Sequence, residues 1–164
     1  MYDLDFVEEG KLKLHIRKFL LYPDYWADNS NKVDFNVQWS VCEFTPSNRD
    51  NIPKERGVYC FVVIPSYKHI FETKYLFYAG KTNRTLWDRY KEYLDDQEGR
   101  GKPRKKVFEM LKLYKGYLYF FYAPLSSSDN VDLFEEKLLN TFVPHINTKI
   151  PDAKIKSELM YIYE

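Results

Sequence analysis

The chain has 164 residues, 45% of them hydrophobic and 18% aromatic, which is enough to bury a sizeable core and too apolar for disorder. Charged residues make up 30% but nearly cancel to a formal +1, so net charge neither demands nor excludes a nucleic-acid partner, and local distribution must decide. No apolar run reaches the roughly 20 residues of a membrane span, and the acidic start "MYDLDFVEEG" is no signal peptide, so a cytoplasmic protein with no membrane partner is expected.

The first 50 residues are the least patterned. "LKLHIRKFLLYP" reads as a short helix or strand ending at Pro23, and "YWADNSNK" as a polar loop. "VDFNVQWSVCEFTP" alternates at period two, with Val33, Phe35, Val37, Trp39 and Val41 on one face and Asp34, Asn36, Gln38 and Ser40 on the other, the pattern of a half-buried strand. "TPSNRDNIPKERG" has loop composition. Cys42 and Cys60 are far apart, match no metal spacing and fall in apolar runs, so buried thiols are expected rather than a disulfide framework. His15, His69 and His145 share no ligand spacing and read as structural or surface residues.

From Gly57 the signals sharpen. "GVYCFVVIP" predicts a buried strand, "SYKHIFETK" a hairpin connection and "YLFYAG" a second short strand. A helix follows, opened by a Thr85-x-x-Asp88 capping box and carrying Leu86, Tyr90, Tyr93 and Leu94 at helical spacing. "DDQEGRGKPRKK" is a polar loop, and "KVFEMLKLY" a second helix stopped at Gly116. "YLYFFYAPL" is a third strand. A third helix spans roughly 130–142 and ends by Pro144. On that helix Val131, Phe134, Leu138, Leu139 and Phe142 share a face, and Glu135 lies within about 40° of its middle while Glu136 points toward solvent. A carboxylate aimed at an apolar interior must be paired, hydrogen-bonded or metal-bound, so Glu135 needs a partner.

The ordered set Gly57-Val58-Tyr59, Tyr78-Ala79-Gly80-Lys81, Arg89, Tyr93, Glu135-x-x-Leu138 and Pro144-x-x-Asn147 resembles the GIY-YIG nuclease family over residues 57–148. Two departures stand out: Ala79 replaces a branched residue, and the 18 residues between Tyr59 and Tyr78 form a longer connection than is usual. The resemblance implies an α+β fold with a small antiparallel three-stranded sheet flanked by helices, in the order β-β-α-α-β-α. Residues 1–56 would be an extension packed on the core and adding a strand, 57–150 the nuclease-like domain, and 151–164 a tail.

It also implies metal-dependent hydrolysis of DNA phosphodiesters with one Mg²⁺ or Mn²⁺ per site. Glu135 would be the metal ligand, since Mg²⁺ keeps most of its waters. Arg89 would hold the phosphate. Tyr59 or Tyr78 would orient or deprotonate water, with Lys81 as the cation that makes a base role feasible. Tyr93 would position water or phosphate, and Gly57, Gly80 and Asn147 would support the site. Tyr78, Lys81 and Arg89 would form one phosphate-facing surface. "RGKPRKK" contributes Arg100, Lys102, Arg104, Lys105 and Lys106, with Lys112 and Lys115 beyond, as sequence-blind phosphate contacts, and Trp87 is a candidate for base stacking.

Taken singly, each residue has an ordinary reading. Tyr59 and Tyr93 fit a core, Lys81, Arg89 and the basic loop a solvated surface, and Glu135 an ion pair with Arg89 or Lys81. The same fold without cleavage, as a nucleic-acid-binding protein, is the alternative, and a protein-interaction domain a third. The extension and the 66–74 connection are expected to set substrate preference. Within these 164 residues no large separate DNA-binding module is expected. A dimer would supply two sites for double-strand cleavage.

Overall fold

In the computed structural model, which describes residues 6–65, 72–150, 158, 162 and 163, the run "GVYCFVV" is strand β2 (Gly57–Val63) and is buried along its whole length. Such a strand must be covered on both faces, which explains why it is continuously apolar rather than alternating. It pairs antiparallel with β3 (Tyr75–Thr82) on one side and β4 (Leu118–Pro124) on the other. A fourth strand, β1 (Ser40–Glu43), adds to β4, giving a four-stranded antiparallel sheet in the order β1-β4-β2-β3. The helices are α1 (Phe6–Lys13), α2 (Pro23–Ala27), α3 (Leu86–Gln97), α4 (Lys105–Leu113) and α5 (Ser128–Phe142). The chain is an α+β protein, and no helix among the described residues is long and apolar enough to cross a membrane.

Strand parity divides the core. Tyr59, Phe61, Val63 and Phe120 pack with Leu86, Tyr90 and Tyr93 of α3 and Val107, Met110 and Leu111 of α4. On the other face, Val58, Cys60, Val62, Ala79 and Ala123 meet Val131, Phe134 and Leu139 of α5. Helix α3 starts where the capping pattern places it: Thr85 Oγ1 accepts the Asp88 N–H at 3.0 Å and donates to Asp88 Oδ2 at 2.7 Å. Ser127 caps α5 through the Asn130 N–H at 3.2 Å. Gly116, at φ 88°, supplies the left-handed residue just past α4.

The N-terminal region departs from its pattern. Val33, Phe35 and Val37 do pack inward, against the α5-side core, and Asp34, Asn36 and Gln38 are exposed. Yet only residues 40–43 form a strand, because only they lie opposite β4, at Tyr119–Tyr122; alternation without a ladder partner does not make a sheet. Parity is kept there, so Val41 stays on the α5 side, where it is exposed, while Cys42 and Phe44 turn toward the α3–α4 core. Cys42 is half-buried rather than buried; Cys60 is buried, and both are unbridged. "YWADNSNK" is not simply a loop, since Tyr25 and Trp26 belong to α2 and a 3-10 turn follows at Asn29–Asn31. Phe19 packs on Phe77, and Tyr25 is 6% exposed in a satellite core with Val143, so the extension is packed against the rest. Most of the 66–74 connection, with His69, and nearly all of the 151–164 tail lie outside the described residues.

Strand β3 is a sheet edge, and edges leave N–H and C=O groups unpaired. Here the chain leaving α5 covers it. Val143 takes φ 42°, a region rare for a β-branched residue, and turns the chain back. The Ile146 N–H then donates to Phe77 O at 2.9 Å. Asn147 closes a two-way bridge: its Oδ1 accepts the Ala79 N–H at 2.9 Å and its Nδ2 donates to Ala79 O at 2.7 Å. Asn147→Ala should cost about 1–3 kcal/mol in chemical denaturation and lower hydrogen-exchange protection most at the Ala79 amide. Unchanged protection there would show that the bridge does not hold the edge.

Candidate active site

Tyr59 is the centre of the candidate site. It points from β2 toward α3, is fully buried, and its hydroxyl accepts Arg89 Nε–H at 3.0 Å and lies 2.9 Å from the Tyr93 hydroxyl. Tyr59 sits opposite Gly80 in the β2–β3 register. A Cβ at Gly80 would come within 2.6 Å of the Tyr59 oxygen and 2.7 Å of its Cζ, so only glycine leaves room for the phenol. Gly57 has a parallel reason: a Cβ there would lie 2.2 Å from Ala123 O on β4. The two motif glycines are close-approach positions, one against a side chain and one against backbone.

Arg89 and Tyr93 stand four residues apart on α3 and therefore share a face. Arg89 Nη2 donates to the Tyr93 hydroxyl at 3.3 Å, its guanidinium lies 4.8 Å from the Tyr93 ring centre, and Nη1 donates to Glu92 at 2.6 Å. Glu92 also takes Arg84. Burial works against the Arg89 charge, but Tyr59, Tyr93 and Glu92 outweigh it and raise its pKa above the ordinary guanidinium value. Burial likewise disfavours the Glu92 carboxylate, and hydrogen bonds from Arg84 and Arg89 outweigh it and lower its pKa. The Tyr59 hydroxyl is pushed well above the ordinary phenol range, first by burial and then by neighbouring Tyr78, against the opposing pull of Arg89. Tyr93 is raised in the same direction, again chiefly by burial.

Tyr78 faces the same core from β3, with its ring centre 6.4 Å from Tyr59 and 6.3 Å from Tyr93. Its hydroxyl accepts a 2.6 Å hydrogen bond from Arg104 Nη2. Of the five basic residues expected as phosphate contacts, Arg104 alone joins the tyrosine cluster. Arg100 pairs with Asp95 at 3.1 Å and Lys105 with Glu109 at 4.0 Å, and Lys102 and Lys106 are exposed. Lys115 pairs with Glu98 at 3.6 Å. Trp87 is not open for base stacking: Arg49 covers its ring at 3.8 Å, with Lys54 at 5.2 Å.

Lys81 is placed differently from the expectation. It lies opposite Val58, on the α5 face of the sheet, while Tyr78 lies opposite Phe61 on the α3–α4 face. Positions 78 and 81 differ by an odd number, and in a strand that sends them to opposite faces. The cation on Tyr59 is Arg89, not Lys81. Lys81 Nζ instead lies 3.0 Å from Glu135 Oε2 and 3.2 Å from Asp132 Oδ1. Its partial burial disfavours the ammonium, and the two carboxylates outweigh this and raise its pKa. Lys81 is thus the partner that Glu135 needed, and one of the two ion pairs weighed for it. Tyr78, Lys81 and Arg89 therefore do not form one surface; β3 separates the lysine from the other two.

Asp132 and Glu135, at i and i+3 on α5, bring two carboxylates to one cation. Asp132 was not singled out from the sequence, although its spacing to Glu135 was a usable signal. Both are hard oxygen donors of the kind Mg²⁺ takes, and two carboxylates completed by water fit that ion's habit. Among the described residues no group of three or more His, Cys, Asp and Glu side chains could hold a metal, so such an ion would keep most of its waters and would compete with Lys81. An apolar groove of about 780 Å³ between α2, β3 and α5, lined by Trp26, Trp39, Tyr75 and Phe142, has no carboxylate and only Lys74 as a charge, so it does not suit phosphate chemistry.

The raised tyrosines carry a pH signature. Above about pH 10 the unfolded chain releases phenolic protons that the folded chain keeps. Their contribution is therefore full below pH 10 and falls as pH rises toward the folded values, by about 1.4 kcal/mol per pH unit for each tyrosine. Tyr59→Phe should flatten the alkaline fall in denaturation free energy, and should delay no tyrosinate absorbance at moderately alkaline pH. A mutant as steeply pH-dependent as wild type would show that Tyr59 titrates normally. Comparison of the chain with family models, with curated proteins and with solved structures returns no match.

Proposed function

We propose that this chain is a metal-dependent endonuclease of GIY-YIG type, a hydrolase that cleaves DNA phosphodiesters one strand per active site. The observation that carries the reading is the closed hydrogen-bonded set of Tyr59, Arg89 and Tyr93, packed over Gly80 and flanked by Tyr78. A core needs no guanidinium. Burying one among three phenols costs desolvation that simple apolar packing would avoid, and that cost is intelligible where a fixed positive charge serves an anion.

In this reading Arg89 is the fixed charge. Tyr59, Tyr93 and Glu92 hold its plane, and its remaining N–H groups on Nη1 and Nη2 serve the oxygens of a phosphodiester as negative charge grows. Tyr59 stays a neutral phenol at neutral pH, so its work is to hold Arg89 rather than to take a proton. Tyr78, whose hydroxyl oxygen accepts from Arg104, keeps its own O–H for orienting water or phosphate. Glu135 and Asp132, on the opposite face of β3 from Arg89, would hold the divalent cation that supplies Lewis-acid chemistry. Lys81 neutralises the carboxylates otherwise and must give way to admit that cation.

A second reading is favoured by that same ion pair. If Lys81 stays on Glu135, the chain binds nucleic acid without cutting it. Nicking of supercoiled plasmid in Mg²⁺ and in Mn²⁺ separates the two. Wild type should nick, Glu135→Ala should abolish metal-dependent nicking, and Arg89→Ala should slow it by about 10²–10³. A folded wild type that leaves plasmid and branched DNA intact in both metals, yet binds DNA with salt-dependent affinity, would favour the binding-only reading.

A further inference from the structure

The two arginines at the tyrosine cluster differ in how many of their donors are committed. Arg89 is engaged at every nitrogen: Nε on Tyr59, Nη1 on Glu92 and Nη2 on Tyr93. It is also 30% exposed, with most of its side chain covered. Arg104 makes one hydrogen bond, from Nη2 to the Tyr78 hydroxyl at 2.6 Å, and pairs with no carboxylate among the described residues. It is exposed at the N-cap of α4, with its guanidinium 5.4 Å from the Tyr78 ring centre. A guanidinium carries five N–H donors, so four of Arg104's remain for an outside acceptor.

The holding matters as much as the freedom. A long cationic side chain loses rotamer freedom when an anion immobilises it, and that loss opposes binding. Tyr78 has already restricted Arg104, whereas Lys102, two residues earlier on the same loop, is exposed with no carboxylate partner among the described residues. Its neighbours Arg100 and Lys105 are turned to Asp95 and Glu109. The planar fork of Arg104 is the shape that takes two oxygens of one phosphate.

We propose that Arg104, held by Tyr78, is the residue that receives the phosphodiester of a nucleic acid at this cluster, and that Arg89 is retained for the reacting phosphate. This rests on the nucleic-acid reading of the site, and it divides the expected basic loop into one site residue and several solvated charges.

Binding of fluorescently labelled duplex DNA in EDTA, read by anisotropy across roughly 50–200 mM salt, tests the inference with cleavage excluded. Arg104→Gln should weaken binding about tenfold and reduce the salt slope by about one. Lys102→Gln should weaken it about twofold or less, and Arg104→Lys, which keeps the charge but not the fork, should fall between. Tyr78→Phe, which releases the arginine without removing it, should cost a few-fold; circular dichroism melts identify any variant that fails to fold. Equal losses for Arg104→Gln and Lys102→Gln overturn the inference, as does a wild type without salt-dependent DNA affinity. Binding that depends on Arg104 in a protein that never nicks DNA sinks the endonuclease reading alone. Nicking by wild type with Arg104→Gln bound and cut as well as wild type sinks the role of Arg104 alone.

Discussion

The hydrogen bond from Arg89 to the buried Tyr59 hydroxyl is the constraint on which the rest of the site depends. A phenol oxygen with no solvent contact has to find its partners inside the protein, and Tyr59 finds them in Arg89 and Tyr93 on α3. That requirement fixes the rotation of α3 against the sheet. It also fixes the glycine: opposite Tyr59 on β3, no side chain larger than hydrogen clears the phenol. Once α3 is set, Glu92 follows one turn along on the same face as Arg89 and completes the guanidinium's partners. The network is costly in desolvation, and every guanidinium nitrogen and both hydroxyls in it have a hydrogen-bond partner, the condition under which a largely covered charge is tolerable.

Strand β3 then distributes the chemistry. As an edge strand it is reached from both faces and from the side. Tyr78 and Gly80 serve the tyrosine face, Lys81 serves the carboxylates of α5, and Ala79 offers its backbone to Asn147. The tyrosine and arginine cluster and the carboxylate pair are thereby held by one short segment but electrostatically kept apart, positive charge among phenols on one face and negative charge beneath a lysine on the other. This separation has a physical logic. An unscreened carboxylate beside Arg89 would consume the guanidinium's donors, as Glu92 already does for one of them.

Much of this was legible in the residues. The continuous apolar run of β2, the Thr85 cap, the helical spacing of Leu86, Tyr90 and Tyr93, and the inward aim of Glu135 all follow from local periodicity, and each has its physical cause within a few residues. The patterns that misled were those that needed a distant partner. The alternation of residues 33–41 is reproduced in part as burial, but the strand forms only where β4 runs alongside. Arg104 reads as one charge in a basic loop until the loop is folded against Tyr78. Trp87 reads as an exposed aromatic until Arg49, 38 positions earlier, closes over it.

By itself the sequence determined the order of strands and helices from Gly57 onward, which rests on spacing along a chain whose geometry repeats every two or 3.6 residues, and the polar side chains that those elements carry, Tyr59, Tyr78, Lys81, Arg89 and Glu135 among them. Only the tertiary structure decided which face of the sheet each of them serves, that Lys81 sits with Glu135 and Asp132 rather than with the tyrosines, and that Arg104 joins Tyr78. Those outcomes depend on register and on contacts between segments tens of residues apart. Such contacts are selected by the packing of the whole core, and no local spacing encodes them.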